Sequence, residues 1–162
     1  MKKLILYALI TLLPMVASAK EYELYCSVND KSTGGPFFED SNVRFEFGYI
    51  RFSDFLKVRV TNKTDSRIAI EWENARISDR QISFDSDNIF SYNNQKPDEI
   101  VHSNSTTTKY IGERNSPDMR LPIFLASSIK ERGKSVVEVI IPIKFASGNI
   151  KDYKVFVCLK AK

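Results

Sequence analysis

Hydrophobic and polar positions alternate with a period of two along most of the chain. Tyr22, Leu24 and Cys26 alternate with Glu23 and Tyr25. Val43, Phe45, Phe47 and Tyr49 alternate with Arg44, Glu46 and Gly48, and Leu56, Val58 and Val60 with Lys57, Arg59 and Thr61. Ile68, Ile70 and Trp72 continue the pattern against Ala69, Glu71 and Glu73, with Ile82 and Phe84 a shorter case. Val137, Val139, Ile141 and Ile143 repeat it, and Tyr153, Val155, Val157 and Leu159 form the last such face. Side chains of a strand point alternately to its two faces, so each run predicts a strand with one buried face and one wet face. The final strand carries Phe156 and Cys158 on its second face, which predicts cover on both sides. Pro142 lacks a backbone donor, which predicts an edge or a bulge near it.

Turn chemistry separates these runs. Asn62 to Ser66 reads as a hairpin loop, and Ser147-Gly148-Asn149 as a second turn. The polar stretch from Asp85 to Glu99 holds Pro97 and reads as a long loop. The threonines of Ser103 to Thr108 lead into a strand at about 106–111. Pro122 and Gly133 bracket a segment suited to one short helix, Pro122 at its first position. About seven to nine short strands, no long helix and no internal repeat predict an all-β fold, an Ig-like antiparallel β-sandwich.

The first 19 residues depart from this pattern. Lys2 and Lys3 precede the apolar run Leu4 to Leu13, Pro14 ends it, and Ala17-Ser18-Ala19 supplies the small residues of a cleavage site. The apolar run is short of the roughly 20 residues a membrane span needs. Lys20 follows the cut, where a lipoprotein would carry Cys. A cleavable signal peptide over 1–19 and a single domain over 20–162 are therefore expected, in the periplasm or secreted. Loss of Lys2 and Lys3 lowers the formal charge from +4 to +2. With no long basic run, a nucleic-acid partner has no support.

Export changes the meaning of the two cysteines. A lone pair in an oxidising compartment predicts one disulfide, Cys26–Cys158, tying the first strand to the last. Loop closure on that scale is worth about 5 kcal/mol in the chain-entropy account. Its geometric demand is stronger: the two Cα atoms must lie within about 7 Å.

Composition excludes several chemistries. One histidine and two cysteines cannot make a four-ligand Cys/His zinc site. Any imidazole-dependent nucleophile would need His102, the sole histidine. Gly34-Gly35 precedes Pro36 without the Lys-Ser or Lys-Thr of a phosphate loop. No catalytic constellation and no cofactor site emerge.

The run from Leu56 to Trp72, LKVRVTNKTDSRIAIEW, pairs a V-x-V-x-N-x-T strand with an I-x-I-x-W strand. In this hairpin the chain resembles small, uncharacterised secreted Ig-like β-sandwich proteins of gut-type bacteria, over about residues 43–90. The resemblance implies an Ig-like sandwich and transfers no catalytic residue.

Several residues remain as candidate contacts. Trp72 reads as a core anchor or, exposed, as a stacking platform for sugar. Glu71 and Glu73 would stand about 6.5–7 Å apart on one strand face, a spacing glycoside hydrolysis can use and solvated strands show far more often. Asp85 and Asp87 begin like a calcium loop, but Ile89 and Phe90 stand where an EF-hand needs Asp or Asn and then Gly. The Asn62 and Asn104 sequons read as turn chemistry in a bacterial chain. Phe37 and Phe38, in an expected loop, are the candidate exposed aromatic contacts. The expectation is an exported, non-enzymatic interaction module that binds a protein or cell-envelope component. A carbohydrate-binding or glycan-acting domain is the alternative, and a pilus subunit or assembly chaperone the third.

Overall fold

A computed structural model describes residues 21–29, 31–50, 53–115 and 122–162. The signal peptide expected at the start of the chain lies outside them. In chain order the elements are β1 (Tyr22–Val28), β2 (Lys31–Ser32), β3 (Phe37–Glu39), β4 (Val43–Tyr49), β5 (Leu56–Asn62), β6 (Ile68–Ile70), a 3₁₀ turn (Trp72–Asn74), β7 (Arg76–Ile77), β8 (Arg80–Phe84), β9 (Glu99–Val101), β10 (Thr106–Glu113), α1 (Ala126–Arg132), β11 (Lys134–Phe145) and β12 (Ile150–Ala161). The period-two runs fold as strands, and the chain is all-β.

The strands form one curled sheet in the order β2-β1-β12-β11-β7-β8-β10-β5-β4-β3, with β6 beside β11 and β9 beside β6. All pairings between the described strands are antiparallel. β8 turns the corner: Arg80 and Gln81 pair with β7, while Ile82, Ser83 and Phe84 pair with β10. The two halves of the curl then face each other. Phe45 from β4 meets Tyr153 from β12 at 5.2 Å between ring centroids, and Tyr22 meets Tyr49 edge-on at 6.3 Å. The core between them holds the alternating apolar faces of β4, β5, β11 and β12 together with Trp72 and Ile82. Asp40 links the halves with polar contacts, its Oδ2 accepting from Lys151 Nζ at 2.9 Å and from Tyr153 Oη at 3.1 Å.

The first and last strands are neighbours, yet the expected disulfide is not there: Cys26 and Cys158 are both free and buried. Register is the reason. Cys26 stands opposite Val157, and Cys158 stands opposite Tyr25. Directly opposed residues share a face and consecutive residues do not, so the one-residue offset sends the two thiols to opposite faces of the sheet. Cβ vectors that diverge in this way cannot be bridged without moving the backbone. Cys26 enters the core, where burial and then the neighbouring Cys158 push its thiol up to about 12. Cys158 lies on the outer face beneath Tyr25, whose phenol is raised by burial and then by Cys158.

Three local outcomes differ from the sequence pattern. Pro142 lies inside β11, with β12 on one flank, rather than at a sheet edge. Its other flank falls between the segments paired to β7 and to β6, and its carbonyl accepts from Glu71 N at 3.1 Å. N–H and C=O of one residue point to the same side of an antiparallel strand, so the missing donor faces the break between β6 and β7. Trp72 leaves the strand for the 3₁₀ turn, so Glu71 and Glu73 do not share a strand face. Pro122 does not open the helix, which starts at Ala126 and ends at Gly133, φ +73°, whose N–H caps Ile129 O. Among the described residues no helix is long and apolar enough to cross a membrane.

Candidate functional site

The long loop between β8 and β9, residues 85–98, is fastened at its neck and bare at its tip. At the neck, Lys96 is only 4% exposed and its ammonium lies 2.6 Å from Asp87 Oδ2. The same carboxylate oxygen accepts from Phe84 N at 2.7 Å, so Asp87 holds both the start of the loop and its return. The Lys96 ammonium also sits 5.6 Å from the centre of the Phe84 ring. A buried charge is tolerated only when paired, and Lys96 has an ionic partner and an aromatic face.

A second carboxylate anchors the backbone at the same point. Glu73, presented by the 3₁₀ turn, accepts from Lys96 N at 2.8 Å. Its two oxygens also take the Arg114 guanidinium in a fork, at 3.2 and 2.8 Å. The Arg114 hydrogen bonds hold the Glu73 carboxyl below the usual carboxylate range, against the opposing effect of burial. Arg114 in turn donates to Ile82 O and Gln81 Oε1, fixing the group to β8. Glu99, at the first residue of β9, receives Trp72 Nε1 at 2.8 Å and Thr107 Oγ1 at 2.6 Å. Each end of the loop is thus fixed by charge-assisted hydrogen bonds.

The tip is organised by turn chemistry. Asn88 Oδ1 accepts from Phe90 N at 2.8 Å, while Ser91 N and Tyr92 N both reach Asn88 O, at 3.1 and 3.0 Å. An Asn side chain that bonds the backbone two residues on fixes a turn. That turn projects Phe90, 85% exposed, beside Ile89, 54% exposed. Opening an apolar pair to water costs burial energy of roughly 1.5–3 kcal/mol for each side chain left outside.

The residues singled out from the sequence fall elsewhere. Trp72 is 1% exposed, packed edge-on against Phe84 at 5.7 Å, and offers no face to a sugar. Phe37 and Phe38 are half-buried in β3. Arg44 covers the Phe37 ring at 4.5 Å, and Phe38 packs on Phe45 and Tyr153. Asp87 is committed to Lys96 and Phe84, and Asp85 is exposed beside it. Among the described residues no group of three or more His, Cys, Asp or Glu is placed to hold a metal ion. His102 is exposed, and its backbone carbonyl accepts from Asn62 Nδ2 and from Ser105 N, both at 3.1 Å. Asn62, read as a turn residue, is fully buried and also bonds Ser66 O and Val101 O.

Lys96, Glu99 and Arg114 carry no signal in the sequence, because their partners lie 23 to 41 positions away or across a loop. Ile89-Phe90 did carry one: an apolar pair inside a polar, aperiodic stretch has no strand face to occupy. Comparison of the chain with protein-family models, with curated proteins and with solved structures finds no match.

Proposed function

We propose that this chain is an exported, non-enzymatic binding module, an Ig-like β-sandwich that engages a protein partner of the cell envelope through Ile89 and Phe90. Export is supported by the Lys2-Lys3, Leu4–Leu13 and Ala17-Ser18-Ala19 pattern. The sandwich reading is supported by two antiparallel halves meeting through Phe45, Tyr153, Tyr22 and Tyr49. The observation that carries the function is Phe90, the most exposed large apolar side chain among the described residues, on a loop locked at neck and tip. A rigid aromatic anchor loses little freedom on binding, and this is the kind of residue that dominates interface energies. Asp87, Lys96, Glu73, Arg114 and Glu99 are engaged in holding the loop, which argues for support of a surface rather than for turnover.

Photo-crosslinking tests this reading. A benzoylphenylalanine placed at position 90 in the exported protein is expected to yield a discrete adduct in intact cells, and one placed at Lys160, at the other end of the sheet, none. Phe90→Ala should abolish recovery of that same partner while leaving thermal unfolding unchanged. Equal adducts from both positions, or undiminished recovery with Phe90→Ala, refute it. Binding of the purified domain to a glycan array that is lost in Phe90→Ala would move the assignment to carbohydrate.

A further inference from the structure

A second feature lies along one flank of β11. On the other flank β12 pairs with it from Lys134 to Lys144. On this one β7 pairs only at Val139 and Ile140, before Ser78 and Asp79 turn the chain away into β8. Ser78 N donates to Glu138 O at 3.0 Å and Glu71 N to Pro142 O at 3.1 Å, so the even-numbered residues of β11 direct N–H and C=O to this flank. Beyond Glu138 the next such residues are Val136 and Lys134. Among the described residues nothing on this flank pairs with their backbone N–H and C=O.

This open edge forms one wall of a groove. A cavity of about 490 Å³ separates it from Ile123, Leu125 and Arg132. Val136 and Leu125 are each 46% exposed there. Ser135, on the inner face of β11, accepts at Oγ from Leu125 N at 3.2 Å, which sets the apolar wall on that side. Glu113, the one carboxylate among the described lining residues, meets Arg80 at 3.2 Å. Arg132 and Lys134, at the end away from Ser78, have no ionic partner among the described residues.

An unpaired strand edge recognises backbone: it offers N–H and C=O groups at the repeat of another strand. We propose that this groove takes the C-terminal end of a partner polypeptide as a short added strand, antiparallel to β11. Such a strand continues the line of β7 and runs from Ser78 toward Lys134. Its terminal carboxylate then meets Arg132 and Lys134, where the parallel direction would bring an amino terminus. The residue opposite Val136 exchanges both backbone hydrogen bonds with it. The residue opposite Ser135 shares the inner face and turns toward Ile123 and Leu125. The site is separate from the Ile89–Phe90 surface and does not depend on it.

Amide chemical shifts and hydrogen exchange of the isotopically labelled protein would be followed against acetyl-Val-Thr-Leu-Ser with a free carboxylate. Saturable shifts centred on Leu125, Lys134 and Val136 are expected, and exchange of the Val136 amide should slow. The threonine stands opposite Val136, so methylating its nitrogen removes the donor to Val136 O and should abolish binding. Amidating the carboxylate should weaken binding about five-fold, as should the double variant Arg132→Gln, Lys134→Gln. Val136→Pro deletes an N–H that faces no strand and should abolish binding. The N-methylated peptide tests the same edge with the protein unaltered. The proposal fails if the N-methylated or the amidated peptide binds as well, if dodecanoate shifts the same amides, or if no saturable shift is reached at millimolar peptide. It fails also if protection of the Val136 amide rises with protein concentration alone, the mark of a second copy in the groove.

Discussion

The Lys96 ammonium and the Asp87 carboxylate meet at 2.6 Å with both side chains nearly closed to solvent. This pair closes the neck of the 85–98 loop, so the position of Phe90 depends on a contact between residues that no strand holds. Breaking a buried pair by removing one partner leaves the other charge uncompensated and typically costs 3–5 kcal/mol. Lys96→Met should therefore destabilise the domain by about 3 kcal/mol in urea unfolding. In the Lys96→Met background, Asp87→Asn should cost clearly less than it does alone. Additive losses would mean the two groups do not act as a pair.

Acid should weaken the fold through Glu73 and Asp40. Arg114 holds the Glu73 carboxyl low. Burial works to raise Asp40, but hydrogen bonds from Lys151, from the backbone of Val43 and Asn42, and from Tyr153 outweigh it and leave it lowered. A carboxylate with a depressed folded value binds fewer protons folded than unfolded. Its stabilisation is complete above the ordinary carboxylate value of about 4 and is lost as pH falls through the depressed value. Urea midpoints should be level from neutral pH to about pH 5 and fall below about pH 4. Glu73→Gln should make that fall shallower, and a curve parallel to that of the unaltered protein would remove Glu73 from the account.

The cysteines should titrate as two thiols per chain in denaturant without reductant. In the native protein Cys26 should resist alkylation, since it is fully buried and its thiol is pushed up to about 12, far from the reactive thiolate. An intact mass lower by two hydrogens would contradict the register of β1 against β12.

Gly112 in β10 has no room for a side chain. A Cβ there would come 2.6 Å from Asp54 O and 3.1 Å from the Phe55 ring. Backbone cannot yield as a flexible side chain does, so Gly112→Ala should cost about 1–3 kcal/mol. Gly148→Ala meets no neighbour but sits at φ +87°, and its penalty comes from the turn conformation instead.

Features of the fold separate by the range of the interaction they depend on. Alternation in Val43–Tyr49, Leu56–Asn62 and Tyr153–Leu159 is legible because the two faces of a strand meet different solvents. The Asn62–Ser66 turn is legible because side-chain hydrogen bonds between residues two to four positions apart shape it. β2, β3, β7 and β9 are two or three residues long, too short to show a period, and exist only because a neighbour strand receives them.

By itself the sequence determined an all-β chain, the order of its principal strands and the apolar face of each, because a period of two needs only water on one side and core on the other. The tertiary structure alone decided register and long-range polar pairing. A shift of one residue between β1 and β12 leaves every alternation intact, yet it sends Cys26 and Cys158 to opposite faces. Lys96 finds Asp87, and Glu73 finds Arg114, only when distant segments have already met. Which apolar side chain stays in water, Trp72 or Phe90, follows from where those contacts place the loop.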